Sequence, residues 1–170
     1  AGTLDTGRYK AFISDALNVS PKCINALLMG GHGDTMVPLP RFTSVEGIPV
    51  TQLLGKDVLD KIVERTRKGG GELVSLMGTS AWYAPGAAAA QLAEAIVDNQ
   101  KRVFPVCAYL EGEYNLKDMY LGVPAVIGEN GIEEIIQIEM NKEERKLFDE
   151  SAKAVKKVLK VLDDMNVLDD

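Results

Sequence analysis

Histidine, cysteine, basic charge and long apolar runs are all scarce in this chain of 170 residues, and each scarcity removes a class of function. One histidine and two cysteines fall short of the usual zinc-binding patterns, which draw on several such residues. Cys23 and Cys107 lie in the apolar runs KCINALLM and FPVCAYL. They are therefore expected to be reduced core thiols of a cytoplasmic protein, with neither a disulfide nor a metal site. No stretch approaches the roughly 20 apolar residues of a membrane-spanning helix, and AGTLDTGRYK lacks the apolar centre of a signal peptide. With 19 Lys and Arg against 25 Asp and Glu, the net charge is −6. That is a poor basis for binding nucleic acid or an anionic membrane, both of which need a basic footprint. A small anionic substrate stays compatible, because one buried arginine can hold it whatever the total charge.

What is present is an ordinary globular composition, 46% hydrophobic and 26% charged, in a length that suits one domain. Ala1 is not a methionine, and a site-like segment follows within a few residues, so the chain is expected to be a domain cut from a longer protein. The periodicity predicts a helix from Asp5 or Thr6 to Leu17, with positions 5, 8, 12 and 16 facing inward beside Ile13 and Leu17. Asp5 and Arg8 thus share the buried side. A strand, Ile24 to Met29, empties into Gly30-Gly31-His32-Gly33-Asp34. An amphipathic helix from Leu53 to Lys68 is expected to stop at Gly69-Gly70-Gly71, with a short helix, Glu72 to Met77, beyond. An alanine-rich helix opened by Pro85 runs to Asn99, its apolar side made by Leu92, Ala93, Ile96 and Val97.

Strands are then expected over Val103 to Leu110, Leu121 to Gly128 and Ile132 to Met140, with Asn130-Gly131 as a two-residue hairpin signal. Asn141-Lys142-Glu143-Glu144 is a capping-box pattern opening the last helix, whose buried stripe is Phe148, Val155, Leu159 and Leu162. Residues Asn166 to Asp170 are expected to fray. The sum is an α+β domain: an antiparallel sheet, helices packed on it, and one long helix at the end.

The glycine clusters do not carry nucleotide chemistry. A phosphate loop follows a buried strand, whereas a charged helix precedes Gly69-Gly70-Gly71, and Gly128 to Gly131 reads as a turn. The chain has no Rossmann fingerprint. His32 is the more informative residue. A lone loop histidine ordinarily bonds a nearby carbonyl. Here glycines surround it, Asp5 and Asp34 are candidate orienting carboxylates, and Arg8 points inward beside Asp5, where an unpaired guanidinium is costly. A substrate carboxylate would satisfy that arginine bidentately.

Leu4-Asp5-Thr6-Gly7-Arg8-Tyr9 followed by GGHGD resembles the lactate and malate dehydrogenase superfamily. GGHGDTMVPLPRF, VERTRKGGGELV and SAWYAPGAAAAQLAEAI are similar to the lactate-dehydrogenase-like malate dehydrogenases of bacteria. The resemblance runs from Ala1 to about Leu162. It implies that residues 1–170 are the catalytic, substrate-binding C-terminal domain and that the N-terminal Rossmann domain, which binds most of the NAD, lies outside this chain. It also implies NAD-dependent interconversion of malate and oxaloacetate in a homo-oligomer, dimer or tetramer, with the fragment alone inactive. His32 matches the family's proton donor and acceptor, Asp5 the carboxylate that fixes its tautomer, and Arg8 the clamp on the substrate's C1 carboxylate. Ser80 and Ala81 fall in the segment lining the substrate and nicotinamide pocket, although Ser80 could equally be a helix cap. Lactate dehydrogenases typically carry threonine near Ala81 and glutamate at Gly31, so both positions favour malate. The competing readings are a lactate or other 2-hydroxyacid dehydrogenase, and a non-catalytic assembly module of the same fold.

Overall fold

The computed structural model describes residues 2–165; the expected fraying of Asn166 to Asp170 lies outside them, as does Ala1. In chain order the elements are α1 (Gly2–Leu17), β1 (Ile24–Asn25), β2 (Leu28–Gly30), β3 (Met36–Pro38), β4 (Ser44–Val45) and β5 (Ile48–Pro49). Helices α2 (Val50–Leu53), α3 (Lys56–Met77) and α4 (Tyr83–Val97) follow. The chain then forms β6 (Arg102–Glu111), β7 (Lys117–Gly128), β8 (Gly131–Ile135) and α5 (Lys142–Asp164). All strand pairs are antiparallel, in a small sheet β1-β4-β5 and a larger one ordered β3-β2-β7-β6 with β8 also on β7. The expected α+β architecture with a long final helix is what forms.

The larger sheet is a platform for helices. Phe148 and Ala152 of α5 pack on Met29, Leu110 and Leu121. Tyr9 and Ile13 of α1 meet Ile24, Leu28 and Ile62 in a second cluster. The buried face of α1 is Asp5, Thr6, Tyr9 and Ile13, about one residue round from the predicted stripe, and Ala16 is exposed. The predicted strand Ile24 to Met29 is two short strands in different sheets, because β1 pairs β4 while β2 pairs β3 and β7. At Gly30↔Gly122, β2 crosses onto β7 so closely that a Cβ on Gly122 would run into the Gly30 carbonyl.

Four further expectations are corrected. Cys107 is exposed, not a core thiol, because alternation along β6 buries Val106 and Ala108 and turns Cys107 to the other face. Leu162 is exposed on α5, and α4 buries Ala95 against Phe104 and Ala125 while leaving Val97 82% exposed. The two turn residues of the last hairpin are Glu129 and Asn130, with Gly131 paired to Gly128 at φ +84°.

The largest departure is α3, which runs unbroken through Gly69-Gly70-Gly71 and ends at Gly78, a left-handed cap at φ +70°. Glycine costs a helix about 1 kcal/mol relative to alanine, so packing must outweigh propensity here. Gly69 is buried against α1, where a Cβ would stand 3.2 Å from Arg8 Cδ. The Arg65–Glu72 ion pair, 2.7 Å, straps the helix across the glycines, and Arg65 stacks on the Phe12 ring at 4.2 Å.

Gly71 has open space, with no atom within 4 Å of an added Cβ. Gly71→Ala is therefore expected to stabilise the domain by about 0.5–1 kcal/mol, read as a higher melting temperature.

Helix α5 starts on the capping box that the sequence signals: Asn141 accepts from Glu143 and Glu144 amides, and Glu144 returns a bond to the Asn141 amide. Arg41 clamps Glu144 from across the chain at 3.0 and 2.8 Å. Hydrogen bonding from Arg41 holds the Glu144 carboxyl below its ordinary range. A carboxyl depressed in the folded state contributes stability at neutral pH that is lost as pH falls through its folded value. Acidification should therefore lower the melting temperature of the wild-type chain more steeply than that of Glu144→Gln.

Candidate active site

Two elements bring the predicted residues together. The first turns of α1 present Asp5 and Arg8, and β2 delivers His32 to the head of the short 3₁₀ turn Gly33–Thr35. Crossing of β2 over β7 at the Gly30–Gly122 contact sets where that loop emerges. Asp5 is 1% exposed. Its Oδ2 lies 2.7 Å from His32 Nδ1, and its Oδ1 accepts from Arg8 NH1 at 2.9 Å. One buried carboxylate thus spans the imidazole and the guanidinium. Asp5, rather than Asp34, is the carboxylate that meets this nitrogen; Asp34 is exposed.

The imidazole itself is 61% exposed, while the Arg8 side chain is 15% exposed. Both line an open cavity of about 1300 Å³, whose wall also includes Leu4, Met36, Ser80 and Ala81. Ser80 and Ala81 belong to the connection between α3 and α4. Trp82 occupies the cap position of α4 without a side-chain cap bond, so Ser80 is not the helix cap that its type suggested. Four of the five residues singled out in the sequence, Arg8, His32, Ser80 and Ala81, therefore border one space, and Asp5 is buried behind two of them, bonded to His32 and Arg8. Arg8 Nε is buried with no hydrogen-bond partner, which leaves donor capacity beyond the bond to Asp5.

Three contributors escaped the sequence reading. Gly69 is the bare surface on which the Arg8 stem lies. Arg67 Nε donates to the Met36 carbonyl at 3.1 Å and ties α3 to the strand after the histidine loop. Ser151, from the middle of α5, accepts the Gly31 amide at 2.8 Å. A signal did exist for the last of these: a serine sits on the apolar stripe between Phe148 and Ala152. The two glycines before His32 make room for other parts of the protein, since added Cβ atoms at Gly30 and Gly31 would meet Ser151 Oγ at 2.6 Å and Thr35 Oγ1 at 2.8 Å.

A buried carboxylate shared by a half-exposed imidazole and an arginine, at the wall of a cavity, defines a class: a site that can exchange a proton with a bound anion. Comparison with known proteins gives the family. The model of the lactate/malate dehydrogenase alpha/beta C-terminal domain matches residues 2–165. The chain is 64% identical over 163 residues to a malate dehydrogenase of Cytophaga hutchinsonii, covering 96% of this chain and 52% of that protein. The structure of malate dehydrogenase from Salinibacter ruber superposes with a TM-score of 0.96 at 52% identity, over 98% of this chain and 54% of that one. That of lactate dehydrogenase from Eimeria maxima with NADH and oxamate gives 0.94 at 39% identity, over 99% and 54%. The chain belongs to the lactate/malate dehydrogenase C-terminal domain family, and it spans about half the length of the relatives it matches.

Removing Asp5 leaves Arg8 and His32 facing a buried gap. Asp5→Ala is expected to destabilise the domain by about 3 kcal/mol, measured by denaturant unfolding, whereas Asp34→Ala should have little effect.

Proposed function

We propose that this chain is the substrate-binding, proton-transferring half of an NAD-dependent malate dehydrogenase, active when joined to a nucleotide-binding half. The observation that carries the reading is the division of Asp5 between His32 and Arg8. In this reading Asp5 fixes Nδ1 of His32 as a protonated nitrogen, so Nε2 exchanges the reacting proton. Arg8 turns its remaining donors to the C1 carboxylate of the substrate. In reduction, His32 Nε2–H hydrogen-bonds the ketone oxygen of oxaloacetate and gives up its proton as the oxygen gains charge. In oxidation, neutral His32 takes the hydroxyl proton of malate.

Bound NAD supplies the hydride chemistry. Gly69 to Gly71 lie inside a helix and form no phosphate loop, so this half would meet the cofactor only at its reactive end, along the wall with Ser80 and Ala81. Malate over lactate is supported by Gly31 and Ala81 and by the names of the sequence relatives. The fold is neutral on the choice, since a lactate dehydrogenase superposes nearly as well. Assembly as a homo-oligomer, dimer or tetramer, is supported by the exposed Trp82, Tyr83 and Val97 of the α4 region, which need cover. A cytoplasmic setting is consistent with free Cys23 and Cys107. Among the described residues, no helix is long and apolar enough to cross a membrane.

The test uses the polypeptide that joins this domain to its nucleotide-binding half, with NADH and oxaloacetate. His32→Asn should lower turnover by about 10³-fold with the fold retained, and oxaloacetate should outcompete pyruvate in kcat/KM. An unchanged rate in His32→Asn would end the proton-transfer assignment, and a preference for pyruvate would replace malate by lactate.

A further inference from the structure

Ser151 lies 120 residues from Gly31, is 1% exposed, and sits in the centre of α5 between Phe148 and Ala152, both fully packed against the sheet. Its Oγ accepts the Gly31 N–H at 2.8 Å, one residue before His32. The fit around this bond is close on every side. Gly30 is held at φ +85°, a conformation that favours glycine, and a Cβ there would meet Ser151 Oγ at 2.6 Å and Val37 Cγ2 at 3.2 Å. A Cβ at Gly31 would stand 3.3 Å from Val155 Cγ2 and 3.5 Å from Ser151 Oγ. Helix α5 therefore presses a single hydroxyl and one methyl group onto bare backbone at the root of the histidine loop.

The His32 ring is 61% exposed, so burial does little to fix it. The backbone that carries it and the bond to Asp5 are two of the restraints on its position. The 3₁₀ turn that follows has no side-chain cap from His32. The partly buried amide at the loop's root needs an acceptor, and the acceptor supplied is a side chain from a helix whose start is fixed independently by the Asn141 capping box and by Arg41.

We infer that Ser151 is a positioning residue for His32, anchoring the backbone before it so that the imidazole meets both Asp5 and the substrate oxygen. The inference rests on the reading of His32 as the proton-transfer group. It adds a residue from the opposite end of the domain, touching neither substrate nor cofactor. Acting through backbone placement, it governs the proton step and leaves carboxylate binding at Arg8 alone.

The experiment compares Ser151→Ala, Ser151→Cys and Ala152→Gly in the polypeptide with its nucleotide-binding half. Ser151→Ala is expected to slow the single-turnover reduction of oxaloacetate about tenfold, as loss of the acceptor for a partly buried amide implies. The KM for oxaloacetate and the Kd of NADH should stay within about twofold of wild type. Ala152→Gly, which weakens the same helix turn through propensity and the loss of one core methyl group but leaves the Ser151 hydroxyl in place, should lower the melting temperature and keep the single-turnover rate. Ser151→Cys keeps the side chain's shape but offers only a weak acceptor; it should also slow the step, and it carries the test if Ser151→Ala does not fold. Unslowed turnover in both Ser151 variants overturns the inference, as does an equal rate loss in Ala152→Gly. Because His32→Asn is read in parallel, an inactive His32→Asn beside fully active Ser151 variants removes this inference alone. An active His32→Asn removes the functional reading with it.

Discussion

Asp5 is buried, and its two oxygens are divided between an imidazole that faces a cavity and a guanidinium that borders the same cavity. Much of the surrounding structure serves to keep that carboxylate where both groups can reach it. Burying an ionised carboxylate is expensive unless its lone pairs are engaged, and here the engagement is also the geometry. Arg8 follows Asp5 by three residues on α1, so one helix turn fixes their relation. His32 comes from a strand exit whose place is set by the approach of Gly30 to Gly122. The helix brings charge and the sheet brings the ring.

The same constraint accounts for features that look unfavourable in isolation. Three consecutive glycines inside α3 weaken it by propensity, yet one of them lets α3 lie against the Arg8 stem. The Arg65–Glu72 bridge and the stacking of Arg65 on Phe12 then hold the helix and its neighbour together at that point. Gly30 and Gly31 belong to the same account, because each leaves room for a side chain of another element.

The parts of this domain that were legible in the sequence are those governed by local chemistry. The capping box at Asn141, the inward face of α1 with Asp5 and Arg8, the two long strands and the glycine-flanked histidine all announce themselves within a few residues. Ser80 and Ala81 were placed by family resemblance and border the cavity, though spacing alone would not have found them. What was illegible depends on distant partners. The helix break assigned to Gly69–Gly71 failed because propensity was read without Arg8, which lies far away in the chain. Cys107 looked like core because its neighbours are apolar, while the strand's alternation decides otherwise. Ser151 stands out only as a serine on an apolar stripe, and its partner lies 120 residues away. The apolar residues of α4 were assigned inward, and several of them face outward.

The bond between Gly31 and Ser151 joins positions 120 residues apart, which gives the domain a built-in order of completion. A ribosome releases the Asp5 helix and the histidine loop long before the serine that anchors the loop exists. Closing so long a loop is slow relative to forming local helices and hairpins. The nascent chain therefore carries the loop's root with its amide bonded to water, and the histidine loop reaches its final form only when α5 docks and Ser151 replaces that water.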